Sequence, residues 1–328
     1  MARLIDFSSL PAFTPRASFS EFVARGVFRL LDQLPDHPSA IDTWLRPGAD
    51  AAHTVETVSV PIGTDRMPGW LFTPHAPSGA TVLMLHGALT HARAPYYFYA
   101  EALLARGHRV LMIELDGHGD NPRPFSPQGL AENVPAALDY LLAREDVDSD
   151  RIGVLGFSLG GACAIHAMPR YPGVKALVTV ATPLRVGVGV PQQLAEVVSL
   201  VSAGGYQLIS ELPPKVMLSF LDDTFRVGAN PHAAPELLHL VDPRTPVVVN
   251  EALQRLDPLT HIAKLPGTPY LAVHGEWDNV VPLAHAHALH GAAPGPRALE
   301  VAPLRNHFTI MGCNQAVGAA VDWLERYV

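Results

Sequence analysis

Only two cysteines, Cys163 and Cys313, occur in the 328 residues. That excludes a disulfide framework and a four-cysteine zinc site, and both read as buried small hydrophobes. Charge is scarce too. Asp, Glu, Lys and Arg make up 16% of the chain, below the roughly 25% of ordinary globular sequences. Beside a hydrophobic content of 48%, this excludes a disordered, solvating chain. Basic residues are the scarcer sign, 23 Lys and Arg against 31 Asp and Glu, for a formal net charge of −8. No basic stripe of the kind that nucleic acid requires is visible. Clean apolar runs of membrane-spanning length are lacking as well. The uncharged stretch 152–169 carries Gly153, Gly156, Gly160, Gly161, Ser158 and His166, a poor composition for a span. At the N-terminus Asp6 arrives before the apolar core of a signal peptide could form. A cytoplasmic protein with no membrane span and no nucleic-acid partner is expected. Proline alone is abundant, 31 residues, and it is dispersed rather than tract-forming.

Residues 18–34 read as an amphipathic helix. Ser18 and Glu21 make a capping box, Phe19, Phe22, Val23, Val27, Leu30, Leu31 and Leu34 recur at helical spacing, and Pro35 stops the run. Its polar face has too few cations for a membrane-surface helix. Val58, Val60 and Ile62, the turn Gly63-Thr64-Asp65, and Trp70-Leu71-Phe72 predict a β-hairpin. Strands are then expected at 81–85, 109–113, 152–155 and 175–180, alternating with helices at about 96–105, 131–143 and 159–168. That alternation implies a mostly parallel sheet with helices on both faces. It stops at Leu184 and resumes near residue 260, with strands at 269–273 and 298–301 and a final helix near 317–327. So long an excursion between strands of one sheet is most simply an inserted, mainly helical cap. The expected organisation is a core of 1–183 and 261–328, carrying an N-terminal helical extension at 1–55, with the cap at 184–260.

Gly156-Phe157-Ser158-Leu159-Gly160-Gly161 follows the strand at 152–155 and opens a helix. This is the setting of a G-x-S-x-G nucleophile elbow, in which a tight strand-to-helix turn holds a serine hydroxyl above the sheet. The helix N-terminus beside it favours developing negative charge. A serine nucleophile needs a base, and the base needs an orienting acid. In this architecture the chain order is Ser, Asp or Glu, His. His307 is the one histidine beyond the strand at 298–301. Asp278 lies in the loop after the strand at 269–273, where ligands gather in open α/β sheets, with Glu276 as its competitor. The stretch 178–189 holds no Asp or Glu, so an acid one strand earlier is excluded. His86-Gly87-Ala88 ends the strand at 81–85. Its loop is where an oxyanion amide is supplied in this architecture, which nominates the backbone N–H groups of Ala88 and Leu159, with His86 structural. His285, His287 and His290 are spaced as a solvated helix face rather than a metal site.

Five pieces in order, His86-Gly87, Asp116-Gly117-His118-Gly119, Gly156 to Gly161, Gly275-Glu276-Trp277-Asp278-Asn279-Val280-Val281-Pro282 and Asn306-His307-Phe308, make the chain resemble the α/β-hydrolase superfamily from about Val58 onward. The Asp116–Gly119 turn resembles monoacylglycerol-lipase and serine-aminopeptidase-like members, although Gly117 stands where those often carry Arg. Val147-Asp148-Ser149-Asp150-Arg151-Ile152 is more similar to dienelactone-hydrolase-like members. The resemblance implies the α/β-hydrolase fold and a cap after the fourth strand of the alternating series.

The expected function is a serine hydrolase cleaving a carboxylic ester through an acyl-enzyme, with Ser158 as nucleophile, His307 as base and Asp278 as its orienting acid. No metal or organic cofactor is called for. An acyltransferase or lactone-forming cyclase with the same triad, or an amide or peptide hydrolase, stays open beside it. The substrate expected is a small, largely apolar acyl compound, and no oligomeric state is fixed. Met217, Phe220 and Phe225 are candidates for the pocket, with packing of the cap's own core as the alternative.

Overall fold

The structure, a computed structural model, describes residues 53–88, 97–187 and 245–328. The helix expected at 18–34 and the pocket candidates Met217, Phe220 and Phe225 lie outside them. The hairpin comes first. β1 (His53–Ile62) pairs antiparallel with β2 (Asp65–Pro74), Ile62 facing Asp65 across the turn. Val58, Val60 and Ile62 are buried while their neighbours face out, the period-two pattern of a strand with one wet face.

The remaining strands are β3 (Thr81–Leu85), β4 (Arg109–Ile113), β5 (Ile152–Phe157), β6 (Ala176–Val180), β7 (Tyr270–Gly275) and β8 (Arg297–Ala302). With the hairpin they form one sheet in the order β1-β2-β4-β3-β5-β6-β7-β8. β2 is antiparallel to both its neighbours, and β4 to β8 are joined by parallel pairings. Strands β3, β5, β6 and β7 are buried along their whole length, which is why they read as apolar runs rather than alternating ones.

Helices cover both faces. On one lie α1 (Tyr97–Ala105) and α7 (Asn314–Tyr327); on the other α2 (Pro127–Leu142), α3 (Leu159–Ala167), α4 (Thr245–Leu256), α5 (Pro258–Ile262) and α6 (Ala284–Ala292). Leu83, Leu85, Leu111 and Val154 face the second group, while Val82, Met84, Val110 and Leu155 face the first. α2 starts four residues before the apolar pattern at 131 suggested. The Ser126 hydroxyl accepts the Gly129 N–H, and Pro127 occupies the first turn, where a missing donor costs nothing.

The stretch expected to form the insertion meets the core at both ends. Asn250 of α4 accepts the Val186 N–H and donates to the Val186 carbonyl, each at 2.8 Å. The buried residues Val249, Ala252, Leu253 and Leu256 of α4 pack in the same cluster as α2 and α3. Among the described residues no helix is long and apolar enough to cross a membrane.

Candidate active site

The nominated catalytic and oxyanion residues stand at the C-terminal edge of the parallel strands, Ala88, Asp278 and His307 on loops, Ser158 in the turn after β5 and Leu159 at the start of α3. Ser158 follows β5 directly, at φ 47° and ψ −117°. A non-glycine residue in that region carries about 1–3 kcal/mol of strain. The Ser158 side chain makes no capping hydrogen bond to α3, so its hydroxyl is not consumed by the helix it begins. Its backbone is anchored instead: its N–H donates to the Val180 carbonyl at 2.8 Å, and its carbonyl receives the Gly161 N–H at 3.0 Å. Close approach explains the glycines around it. A Cβ on Gly156 would lie 2.6 Å from the Gly161 Cα, and one on Gly160 would collide with the carbonyls of His86 and Leu85.

Asp278 and His307 meet. His307 Nδ1 lies 2.8 Å from Asp278 Oδ2, and both residues are buried, each 6% exposed. The other oxygen, Oδ1, accepts the backbone N–H groups of Val280 at 3.0 Å and Val281 at 2.7 Å. Asn306 secures His307: its side chain accepts the N–H groups of Phe308 and Thr309, while the Thr309 hydroxyl accepts the Asn306 N–H. Glu276, the competing acid, is exposed and turned elsewhere, accepting the Leu304 N–H at 3.2 Å. It ties the loop after β7 to the loop after β8.

The third loop follows β3. The Leu115 N–H donates to His86 Nε2 at 2.9 Å, which makes Nδ1 the protonated nitrogen, and Nδ1 donates to the Gly87 carbonyl at 2.7 Å. That carbonyl and the Ala88 N–H belong to one peptide unit. With every described peptide bond trans, holding the oxygen turns the Ala88 N–H the opposite way. Glu114 lies beneath, 3.5 Å from His86 Nε2. Next to it Asp116, 1% exposed, gathers donors from Asn133 (2.9 Å), Asn121 (3.2 Å) and Arg123 (3.0 Å). Gly117 has φ +79°, and a Cβ there would run into Phe125, which accounts for the absence of the more usual Arg.

Two features escaped the sequence reading. Ala181, after β6, also has positive φ, and its N–H donates to the Val273 carbonyl at 2.9 Å, tying the edge below Ser158 to β7. His274, in β7, is fully buried beside Asp278; a histidine just before Gly275 was its one signal in the sequence. Among the described residues no group of three or more His, Cys, Asp or Glu is placed to hold a metal ion.

The sheet order, the elbow and the strand-end loops define an α/β-hydrolase fold, and solved structures agree. The chain superposes on a dienelactone hydrolase from Anabaena variabilis with a TM-score of 0.54 at 17% identity, covering 85% of this chain and 100% of that one. With an esterase from Thermogutta terrifontis the TM-score is 0.56 at 16% identity, covering 83% and 98%. The family model for serine aminopeptidase, S33, matches residues 76–310, and the chain belongs to that family of hydrolases. Among curated proteins it is 39% identical over 115 residues to an uncharacterised protein of Mycobacterium tuberculosis, aligning over 34% of this chain and only 40% of that protein's length. It is 27% identical over 258 residues to a pimeloyl-[acyl-carrier protein] methyl ester esterase of Xanthomonas oryzae pv. oryzae, covering 76% of this chain and 95% of that one.

Proposed function

We propose that the protein is a serine esterase that cleaves a carboxylic ester of a small, largely apolar acyl group through an acyl-enzyme on Ser158. The observation that carries this reading is the 2.8 Å contact between His307 Nδ1 and Asp278 Oδ2, on the same sheet edge as a serine held at positive φ. In the proposed cycle Ser158 Oγ attacks the acyl carbon and His307 Nε2 takes its proton. Asp278 fixes the tautomer and supports the imidazolium. The Ala88 and Leu159 amides receive the oxyanion, each donor worth about 3 kcal/mol in the transition state. His307 then returns the proton to the leaving alcohol, and water repeats the sequence to free the acid. The scheme uses no cofactor. Met217, Phe220 and Phe225, on the insertion, are assigned to the acyl pocket, so substituting them is expected to change acyl-chain preference more than activity on an acetyl ester.

The methyl ester esterase relative supports ester over amide cleavage. The family's description favours the second reading, hydrolysis of a peptide or amide bond. A fluorophosphonate probe is expected to label the Ser158 peptide in the wild type and not in Ser158→Ala. A panel of p-nitrophenyl esters, anilides and lactones, with and without added alcohol, then separates the readings. Turnover of anilides above esters selects the amide reading, and ester products with the alcohol select acyl transfer. Labelling that survives in Ser158→Ala overturns the nucleophile.

A further inference from the structure

We infer that His274, which has no place in the proposed proton path, is a positioning residue that presents the Asp278 carboxylate to His307. The inference rests on the serine-esterase reading above. β7 reads Tyr270-Leu271-Ala272-Val273-His274-Gly275 and is buried throughout. His274 is 0% exposed, and an imidazole in such a place loses its hydration. A leucine would serve packing alone. The polar edge of the ring is what the site uses.

His274 Nε2 lies 2.7 Å from the Val281 carbonyl. A carbonyl only accepts, so Nε2 carries the proton, and Nδ1, which has no hydrogen-bond partner, carries the lone pair. Val281 is therefore held on two sides. Its carbonyl is fixed by His274, and its N–H donates to Asp278 Oδ1 at 2.7 Å. Moving Val281 moves the carboxylate. The same Nε2–H edge stands 3.5 Å from Asp278 Oδ2, the oxygen that meets His307. That is too long for a hydrogen bond, but it sets a positive edge against the anion. Burial is the main influence on the ring and disfavours its charged form; Asp278 and the bond to Val281 oppose this, while His307 and His287 reinforce it. His285, on the same helix as His287, also faces it. A neutral His274 holds the turn without competing with His307 for the charge on Asp278.

The test compares His274→Gln, His274→Asn and His274→Leu in the full-length protein. Gln places an amide N–H near the Nε2 position, Asn is too short to reach Val281, and Leu keeps volume without a donor. Rates are expressed per serine labelled by fluorophosphonate, so unfolded protein drops out. Asn and Leu are expected to lower kcat by about tenfold or more with KM changed less than about twofold. They are also expected to move the acidic limb of the kcat/KM profile to lower pH, because a badly aimed carboxylate supports the His307 imidazolium less. Gln is expected to restore both to near wild type. Should Leu fail to fold, the Gln and Asn pair decides. If Gln is as impaired as Asn, or if Asn leaves per-site kcat and the acidic limb unchanged, His274 only fills the core and the inference is overturned while Ser158 labelling still stands. If wild-type Ser158 takes no label, the esterase reading fails and this inference fails with it.

Discussion

Asp278 and Glu276 are two residues apart on one loop, yet the backbone sends their carboxylates in different directions. Asp278 is buried against His307, and Glu276 is exposed against the Leu304 amide. Asp278→Asn is therefore expected to lower kcat on an ester by at least roughly 10². Glu276→Gln keeps an acceptor for Leu304 and is expected to stay within about tenfold of wild type. Steady-state kinetics with circular dichroism as the folding control checks the pair, and the reverse ranking would move the acid to Glu276. His86 offers a finer test, because it donates from Nδ1 and accepts at Nε2. His86→Asn keeps a donor for Gly87, whereas His86→Gln keeps only an acceptor for Leu115. The Gln variant is expected to lose about tenfold or more in kcat with little change in KM, as a misaimed oxyanion donor predicts, and the Asn variant distinctly less. Equal losses would disconnect His86 from the oxyanion. Ser158 and Asp278 could be nominated from the sequence because each follows an apolar strand of readable length, and His307 because it is the one histidine beyond the last strand. His274 could not, since its bond to Val281 exists only once the turn at Asp278 has brought that carbonyl back.

At the level of elements, one tight junction is between α3 and the loop after β3. Gly160 sits on the carbonyls of Leu85 and His86, so the helix bearing Ser158 and the loop bearing Ala88 share one contact surface. Gly160→Ala must push them apart. Overpacking of this kind costs about 1–3 kcal/mol, and here it also widens the gap between Ser158 and the Ala88 amide. The expected result is a lower urea midpoint together with a fall in kcat; a variant with wild-type values of both would show that the junction yields freely. Helix α2 shows how an element tolerates a breach. Pro135 lies inside it and cannot donate to Ala131, whose carbonyl instead receives Arg170 Nη2 at 3.4 Å. Alternation and apolar runs made the strands legible in the sequence, while the start of α2, at the Ser126 cap and Pro127, fell four residues before its apolar pattern and was not legible from it. That α4 packs on α2 and α3 was not legible either, because an amphipathic stretch carries no label for the surface it covers.

For the whole molecule, the histidines couple stability to pH. Burial lowers the proton affinity of His53, His108, His166 and His274 below the ordinary value. His108 is 2% exposed, and neither ring nitrogen has a hydrogen-bond partner. The unfolded chain then binds more protons than the folded one below about pH 6.5. Stability accordingly falls as pH drops through that value and levels once the folded-state groups have titrated as well. Tm is expected to decline from pH 7 to 5, and His108→Gln to flatten the decline; an unaltered slope in that variant would remove His108 from the account. A different consequence follows from the amide of Asn250, which grips both backbone groups of Val186. Those two bonds join the stretch after β6 to α4, so the scaffold itself holds both described flanks of the span between them. Closing a loop twice as long costs only about 0.6 kcal/mol more. A chimera carrying a foreign insert of other length between residues 187 and 245, with α4 kept whole, is therefore expected to keep its Tm within a few degrees, roughly the shift of 1 kcal/mol, and to keep Ser158 open to fluorophosphonate, while Asn250→Leu forfeits that interchangeability.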